Sequence, residues 1–330
     1  MQIALQLVGG LILLVLGGEL LVRGAVQVAT RFGVSPLVIG LTLVGFGTST
    51  PELVTSVQAA LSGSPGIAYG NIVGSNIANI LLILGIAAIL TPIMVSSNAL
   101  KRDSSIMVMV AVIFAIVAAL VPMGLVAGLV FVAALAVYVL AAFWQERRLA
   151  AGTPDGAHGA AFDKSLAMQE ADPALKATGD IGKSALISIV IALAGLALVV
   201  LGGNFLVSGA VGLARSFSIS ETIIGLTIVA VGTSMPELVT SVMAALRKQT
   251  EVAFGNIVGS NIYNILGIGG FTALISSTSV PSEIVRFDNL VMIGASLLLV
   301  LFAFTGRRIS RAEGAILVAG YVAYVALIWP

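Results

Sequence analysis

The chain has 330 residues, of which 58% are hydrophobic and only 9% are charged, and its mean hydropathy is +1.12. Soluble domains carry about 25% charged residues, so this composition excludes a water-soluble globular protein and indicates a helical membrane protein. The absence of cysteine excludes disulfides and thiolate metal sites. The net charge of +1 points to no particular partner, and we expect no nucleic-acid partner, no obligate protein partner and no prosthetic group.

Apolar runs long enough to cross a bilayer recur along nearly the whole chain. We predict ten spans, at about 3–27, 37–61, 67–91, 104–121, 125–144, 184–210, 221–246, 252–275, 288–305 and 311–328. The first run is too long and apolar for a cleaved signal peptide, so it is interpreted as a span. The long polar stretch 145–183 is rich in Gly, Ala and Pro, which predicts a linker. Within it, residues 162–176 are a weak candidate for a short helix on the membrane surface.

Two motifs each occur twice, at an offset of 185 residues. GTSTPELVTSVQAAL at 47–61 returns as GTSMPELVTSVMAAL at 232–246, and GNIVGSNIANIL at 70–81 returns as GNIVGSNIYNIL at 255–266. Between 45–85 and 230–270, 27 of 41 aligned positions are identical. The chain therefore contains a duplication: residues 1–144 form a first transmembrane repeat, 145–183 a linker and 184–330 a second repeat.

The orientation of the repeats follows from their span count. Each repeat holds an odd number of spans, so the second enters the membrane upside down. The predicted fold is an all-α membrane protein of ten transmembrane helices in two inverted-topology five-helix repeats, an architecture of transporters. Of the 16 basic residues, 14 follow odd-numbered spans and only Arg215 and Arg286 lie on the other face. We expect a multi-pass protein of the cell (plasma or inner) membrane, with both termini outside and the 145–183 linker cytoplasmic.

Pro51 and Pro236 interrupt the second span of each repeat. Proline lacks an amide hydrogen and clashes with the carbonyl four residues earlier, so the carbonyls of 45–48 and 230–233 are predicted to be free. Such backbone is tolerated at membrane depth only where it lines a cavity or meets a ligand. The same windows supply hydroxyl and carboxylate oxygens, from Thr48, Ser49, Glu52, Thr233, Ser234 and Glu237.

A single Pro-Glu pair also fits a kinked helix whose carboxylate reaches the membrane surface. The duplication, with each carboxylate deep in its span, favours two carboxylates that meet around a cation, because a charge at the bilayer centre costs about 2.5–3.5 kcal/mol on insertion scales.

The second motif adds hydroxyl and amide groups. Ser75 and Asn79 are four residues apart and share a helical face, as do Ser260 and Asn264, and we predict all four as ligands. The remaining amides fit either ion ligation or hydrogen bonds between helices; they are Asn71, Asn76, Asn256 and Asn261. A set made only of hard oxygens suits Ca²⁺ or Na⁺ and argues against zinc or copper.

The duplicated signatures G-T-S-x-P-E and G-N-x-x-G-S-N-I-x-N, in ten spans, resemble the α-repeats of the sodium/calcium exchangers in the calcium:cation antiporter superfamily, of prokaryotic type without a regulatory domain. The resemblance implies that spans 2, 3, 7 and 8 form the ion site, and that spans 1 and 6 slide across them to alternate access. It adds the backbone carbonyls of Gly45 and Ala230 to the ligands. Some members carry an acid where this chain has Asn264, so this site holds two carboxylates rather than three.

The predicted function is secondary active antiport of Na⁺ for Ca²⁺ rather than an enzymatic reaction. Two carboxylates neutralise one Ca²⁺ or are shared among several Na⁺, so the ions compete for one site. The nearest alternative is H⁺/Ca²⁺ antiport by the same fold, although that branch typically carries G-N-x-x-E where this chain has G-T-S-x-P-E. A passive cation channel is a less favoured alternative. An intramembrane hydrolase is disfavoured, because no plausible nucleophile–base pair or metal triad is present.

The basic-residue asymmetry makes the orientation testable. A cysteine introduced at Ala157, in a chain that has no other cysteine, should react with a membrane-impermeant thiol reagent only in inside-out vesicles. Permeabilised cells provide the positive control. Labelling in intact cells would contradict both the orientation and the inverted register of the repeats.

Overall fold

The computed structural model describes residues 2–32, 45–95, 98–150, 160–171 and 185–330, and within these ranges the chain is almost entirely helical. The first half contains α1 (Gln2–Arg31), a helical turn at Gly45–Gly47, α2 (Thr50–Leu61), α3 (Pro65–Leu90), β1 (Ile93–Met94), α4 (Asn98–Leu120) and α5 (Leu125–Ala150). Helix α6 (Ala160–Ala171) lies in the linker. The second half contains α7 (Ala185–Phe217), α8 (Glu221–Thr233), α9 (Met235–Leu246), α10 (Thr250–Ile275), a π-helical turn at Ile284–Asp288, α11 (Asn289–Gly306), β2 (Arg308–Ile309) and α12 (Arg311–Ile328).

Most of the predicted spans correspond to helices of the structure. Among the described residues, eight helices are long and apolar enough to cross a bilayer, and the bent pair α8–α9 makes a ninth. The predicted span 37–61 is described only from Gly45 onward, because residues 33–44 lie outside the described ranges. The count of ten therefore stays a prediction. Three helices extend at least four residues beyond their predicted ends: α1 to Arg31, α5 to Ala150 and α7 to Phe217.

Helices α3 and α10 form the centre of the protein. In their most apolar stretches 83% and 89% of the residues are buried, against 28% in α1 and α7. The outer helices expose large apolar side chains, among them Leu5, Val126, Leu186 and Leu327. A continuous apolar exterior is unfavourable in water and matches a bilayer, so the protein is a multi-pass membrane protein.

Helices α1 and α7 pack against each other along their length through glycines. A side chain added at Gly10 would meet the backbone of Leu206, and one added at Gly17 would meet the backbone of Val199. Residue numbers rise along α1 while they fall along α7, so the two helices run antiparallel. Without side chains at these positions the backbones come into direct contact, as in other membrane helix pairs.

The two halves interlock through short β contacts. Strands β1 and β2 are antiparallel, with Ile93 opposite Ile309. At the other site Met123 and Thr278 exchange two backbone hydrogen bonds of 3.0 Å. The two contacts are related by the offset of 185 residues. Each joins the segment after one central helix to the connection between two outer helices of the other half, so neither half packs as a separate unit.

The linker contains a helix that is not on the membrane surface. In α6 the side chains of Asp163, Lys164 and Ser165 are all buried. The helix packs against α9, α10 and the turn at Gly45–Gly47. The weak candidate for a surface helix at 162–176 thus forms a helix as far as Ala171, but its polar side chains Asp163, Lys164 and Ser165 are buried inside the protein.

Gly17 and Gly18 provide a matched test of the α1–α7 interface. A Cβ atom at Gly17 would lie 2.7 Å from the Val199 nitrogen, whereas the nearest atom to a Cβ at Gly18 is 3.9 Å away. Gly17→Ala should lower the melting temperature followed by tryptophan fluorescence, since overpacking costs about 1–3 kcal/mol. Gly18→Ala should leave it unchanged or raise it, since alanine favours helix by roughly 0.5–1 kcal/mol. Equal melting temperatures for the two variants would contradict this close approach.

Candidate ion-binding site

Both Pro-Glu motifs lie where a helix breaks and restarts. Helix α9 begins directly after Ser234 and is bent by 48° from α8. Helix α2 begins directly after Ser49, whose backbone angles (φ −87°, ψ 8°) match those of Ser234 (φ −82°, ψ 10°). Glu52 and Glu237 consequently lie in the first turn of their helices, where the exposed amides and the helix dipole stabilise a negative charge.

The two carboxylates are held by each other's motif. Ser49 Oγ donates to Glu237 Oε1 at 3.0 Å, and Ser234 Oγ donates to Glu52 Oε1 at 2.8 Å. The two hydrogen bonds are equivalent under the offset of 185 residues, and all four side chains are buried. Among the described residues, the second oxygen of each carboxylate, Oε2, has no hydrogen-bond partner. A buried carboxylate oxygen without a partner is costly, and a cation would satisfy it.

Two of the predicted amide ligands also present unpartnered oxygens. Asn79 donates through Nδ2 to Asn261 at 3.0 Å, but its Oδ1 accepts no hydrogen bond from the described part of the chain. Within the same residues, neither amide atom of Asn264 has a partner. Both residues lie in π-helical turns, Asn79–Leu84 and Tyr263–Gly269. Such turns are frequent at functional sites, and here they occur at equivalent places in the two repeats.

Two other asparagines hold the site together. Asn71 donates to the carbonyl of Glu52 at 3.1 Å and to Ser56 Oγ at 2.9 Å. Asn256 donates to Thr240 Oγ1 at 2.9 Å and to Ser241 Oγ at 2.8 Å. Asn71 thus ties α3 to α2, and Asn256 ties α10 to α9. Of the two alternatives for these residues, the structure supports hydrogen bonding between helices.

Asn76 and Asn261 join the two central helices. Asn261 Nδ2 donates to the backbone carbonyl of Asn76 at 3.3 Å, while its Oδ1 accepts the bond from Asn79. Asn76 Nδ2 donates within its own helix to the carbonyl of Ile72, at 2.7 Å. These amides therefore connect α3 with α10 directly beside the predicted ligands.

The structure corrects the expectation that the carbonyls before Pro236 are all free. The carbonyl of Ala230 accepts from the backbone N–H of Ser234 at 3.1 Å and lies 3.3 Å from Thr233 Oγ1. Residues 230–233 remain helical up to the break, so this oxygen keeps its helical partner. The Thr233 hydroxyl also lies 3.0 Å from Asn71 Oδ1. Gly45 opens the turn Gly45–Gly47 at the edge of the described residues.

A lysine from the linker enters the same cluster. Lys164 Nζ donates to Thr48 Oγ1 at 2.8 Å, to Ser49 Oγ at 3.2 Å and to Ser260 Oγ, and it lies 3.6 Å from Glu237 Oε1. Burial lowers the pKa of Lys164, and the nearby carboxylates of Glu237 and Glu52 oppose that shift.

Several functional neighbours were not predicted from the sequence. Lys164 stands alone in a polar linker and carries no motif that marks it. Ser56 and Ser241, which accept from the structural asparagines, were detectable, because both belong to the duplicated ELVTSV segment. Ser75, a predicted ligand, donates to Asn71 Oδ1 at 3.4 Å. The hydroxyls of Thr48, Ser49 and Ser260 meet at Lys164, whereas the role of every predicted side chain as an ion ligand stays a prediction.

The fold is that of a helical membrane protein with a buried cluster of oxygen-bearing side chains between two copies of one motif. The sequence profile described as "Sodium/calcium exchanger protein" matches residues 3–144 and 187–329. The chain belongs to this family, whose members are antiporters of Ca²⁺ and another cation.

Whole-length relatives agree with the family assignment. The sodium/calcium exchanger MaX1 of Methanosarcina acetivorans is 36% identical, over 97% of this chain and 96% of the relative. The inner membrane protein YrbG of Escherichia coli is 32% identical, over 98% and 95%. Among solved structures, the sodium-calcium exchanger NCX_Mj soaked with 10 mM Na⁺ and no Ca²⁺ matches with a TM-score of 0.60 at 30% identity, covering 98% of both chains.

Variants of Asn256 and Asn264 test which asparagines hold the helices together and which are available to bind an ion. Asn256→Leu should lower the melting temperature without Ca²⁺, because losing a buried hydrogen-bond partner costs about 1–3 kcal/mol. Asn264→Leu should leave that temperature unchanged or raise it, since its amide has no partner to lose. The stabilisation by added Ca²⁺ should then shrink in Asn264→Leu, as ligand binding stabilises the folded state by mass action. Equal melting temperatures of the two variants without Ca²⁺ would contradict the assignment of Asn256 to structure and Asn264 to ion binding.

Proposed function

We propose that the protein is a secondary active antiporter that exchanges Na⁺ for Ca²⁺. The observation that carries the proposal is the reciprocal pair of hydrogen bonds, Ser49 to Glu237 and Ser234 to Glu52, with an unpartnered Oε2 on each glutamate. This pair places two carboxylates from different repeats in one buried cluster. Their combined negative charge balances that of one Ca²⁺, and the surrounding ligands are hard oxygens, which Ca²⁺ and Na⁺ prefer.

The proposed ligands come from α2, α3, α9, α10 and the turns before α2 and α9. They are Thr48, Ser49, Glu52, Ser75, Asn79, Thr233, Ser234, Glu237, Ser260 and Asn264, with the backbone carbonyls of Gly45 and Ala230. The Ala230 carbonyl is the weakest member of this set, because it already accepts a helical hydrogen bond. It would bind an ion only through its remaining lone pair.

Exchange follows from the electrostatics of the site. The same oxygens serve both ions, so Ca²⁺ and Na⁺ cannot bind in full together. Without metal cations, the two buried carboxylates would face only the single positive charge of Lys164, and unpaired buried charge is strongly unfavourable. The protein would therefore switch between its inward-facing and outward-facing states mainly when cations are bound. This requirement couples the transport of one ion to the transport of the other in the opposite direction.

The architecture supports alternating access. We infer ten spans in two inverted repeats, 1–144 and 184–330, with the 145–183 linker in the cytoplasm and both termini outside the cell membrane. The antiparallel packing of α1 and α7 agrees with opposite orientations of the repeats. Their glycine-lined contact suits two helices that slide as a unit across the ion site. The surrounding lipid bilayer, Na⁺ and Ca²⁺ are the proposed partners.

Na⁺ is favoured over H⁺ as the coupling ion by the composition of the cluster. Protons need only the carboxylates, whereas the serine, threonine and asparagine oxygens around Glu52 and Glu237 offer ligands for a metal cation. MaX1, which is related along the whole chain, is described as a sodium/calcium exchanger. H⁺/Ca²⁺ antiport remains the alternative that the experiment must separate.

Glu52→Gln and Glu237→Gln should each abolish Ca²⁺ exchange. The substitution keeps the side-chain shape but leaves a buried divalent cation with one uncompensated charge, which costs about 3–5 kcal/mol, or a loss in affinity of more than 100-fold. The measurement is ⁴⁵Ca²⁺ uptake into proteoliposomes loaded with Na⁺. Glu221→Gln, an acid at the start of α8 outside the proposed ligand set, is the matched control and should exchange normally.

Two outcomes of the same assay would count against the proposal. Wild-type exchange by either glutamine variant removes that glutamate from the site. Uptake driven by a pH gradient without Na⁺ replaces Na⁺ by H⁺ as the coupling ion, and uptake that runs equally well with no counter-ion gradient supports a channel.

A further inference from the structure

The buried helix α6 has no role in the proposed exchange cycle. It runs from Ala160 to Ala171, and residues 145–186 fall between the two blocks that match the family profile. Three consecutive side chains, Asp163, Lys164 and Ser165, are at most 4% exposed. Phe162 packs against the main apolar cluster. A polar linker segment thus occupies the interior of the protein, and its charged residues require partners there.

The partners of Lys164 are side chains of the proposed ion site. Its ammonium contacts the hydroxyls of Thr48, Ser49 and Ser260 and the carboxylate of Glu237, all of which are proposed cation ligands. It also lies 5.9 Å from the centre of the Tyr263 ring, within the range of cation–π attraction. The lysine therefore meets the oxygens that a transported cation would meet, and it carries the same sign of charge.

The packing of α6 on α10 resembles the packing of α8 on α3, which joins the two repeats. A Cβ atom at Gly70 would meet the backbone of Leu226, in α8. At the equivalent Gly255, an added Cβ atom would clash with the Asp163 side chain, in α6. Helix α6 therefore covers on α10 the face that α8 covers on α3. The residues of the first repeat equivalent to 221–229 are 36–44, which lie outside the described ranges.

We propose that α6 is a tethered cation plug, in which Lys164 occupies the ion site and competes with Ca²⁺ and Na⁺ for the same oxygens. The inference rests on the proposed function, since it identifies the cluster around Glu237 as the transport site. The linker is predicted to be cytoplasmic, so the plug closes the site from the cytoplasmic side. Ca²⁺ must displace it in order to bind, and a linker held away from the site would leave the transporter more active.

Competition by a tethered group changes the apparent affinity for Ca²⁺. A protein whose binding-competent state is populated one tenth of the time shows an apparent dissociation constant about tenfold higher. Lys164→Gln should accordingly lower the half-saturating Ca²⁺ concentration at the cytoplasmic face by about tenfold. Lys176→Gln, the same change elsewhere in the linker, is the matched control and should leave it unchanged. The measurement is ⁴⁵Ca²⁺ uptake by inside-out vesicles over a range of Ca²⁺ concentrations.

A second experiment keeps the lysine in place and follows the position of α6. A single cysteine at Ser165, which is 1% exposed, should react slowly with a membrane-impermeant maleimide without Ca²⁺ or Na⁺. Saturating Ca²⁺ should raise the labelling rate at least about tenfold, because Ca²⁺ binding displaces the docked state. A cysteine at Ala157, outside the described residues, should label at a rate that does not depend on Ca²⁺.

The possible outcomes distinguish failure of the proposed plug from failure of the proposed exchange function. If wild type exchanges Ca²⁺ but Lys164→Gln matches it in half-saturating Ca²⁺, the plug is refuted while the function stands. Rapid labelling at Ser165 in the absence of cations likewise refutes it, because the docked helix buries this side chain. If neither wild type nor Lys164→Gln exchanges Ca²⁺ while Ca²⁺ still accelerates labelling at Ser165, the plug stands and the proposed antiport fails.

Discussion

The arrangement of the protein depends on keeping two carboxylates, Glu52 and Glu237, together in a buried interior. Like charges in a medium of low dielectric repel strongly and lose their hydration. The structure offsets this cost in two ways that the two halves share. Each glutamate lies at the start of a helix, and each accepts a hydrogen bond from a serine of the other repeat. These contacts leave one oxygen of each carboxylate without a hydrogen bond, and a bound cation would satisfy both oxygens.

Neither half of the chain builds this environment alone. The serine that binds each glutamate comes from the opposite repeat, and the amides of Asn79 and Asn261 cross between α3 and α10. The β contacts at Ile93 and Met123 also join segments of different halves. The central helices are therefore locked to one another, whereas α1 and α7 contact each other through glycine backbones on the outside. This division favours movement of the outer pair over separation of the halves.

The linker brings a third charge to the same place. Lys164 supplies a positive group to a cluster with two carboxylates, and its own burial is tolerated because three hydroxyls and Glu237 surround it. A transported ion and the lysine satisfy the same electrostatic need. The ion concentration determines how often a transported ion occupies the site, and the tether determines how often Lys164 occupies it. In this proposal the linker thereby regulates a site whose other side chains all come from the repeats.

The composition and the apolar runs predicted a helical membrane protein, and the duplicated motifs predicted the family and the pairing of Glu52 with Glu237. They could do so because proline, glutamate and hydroxyl residues have strong local consequences inside an apolar span, and because a repeat at one offset implies equivalent environments. The spacing of Asn71 and Asn79 placed both on helix α3, but did not reveal that Asn71 binds α2 while Asn79 keeps a free oxygen. That distinction depends on which neighbouring helix each amide meets.

Only the tertiary structure decided the position of α6. Its sequence is polar and weakly patterned, so nothing local distinguishes a solvated linker from a buried helix. Lys164 is buried because its partners, Thr48, Glu237 and Ser260, are brought together from segments far apart in the chain. Local patterns determine which residues form helices and which carry charge, but the free energy of burying a charge depends on distant partners that only the folded chain supplies.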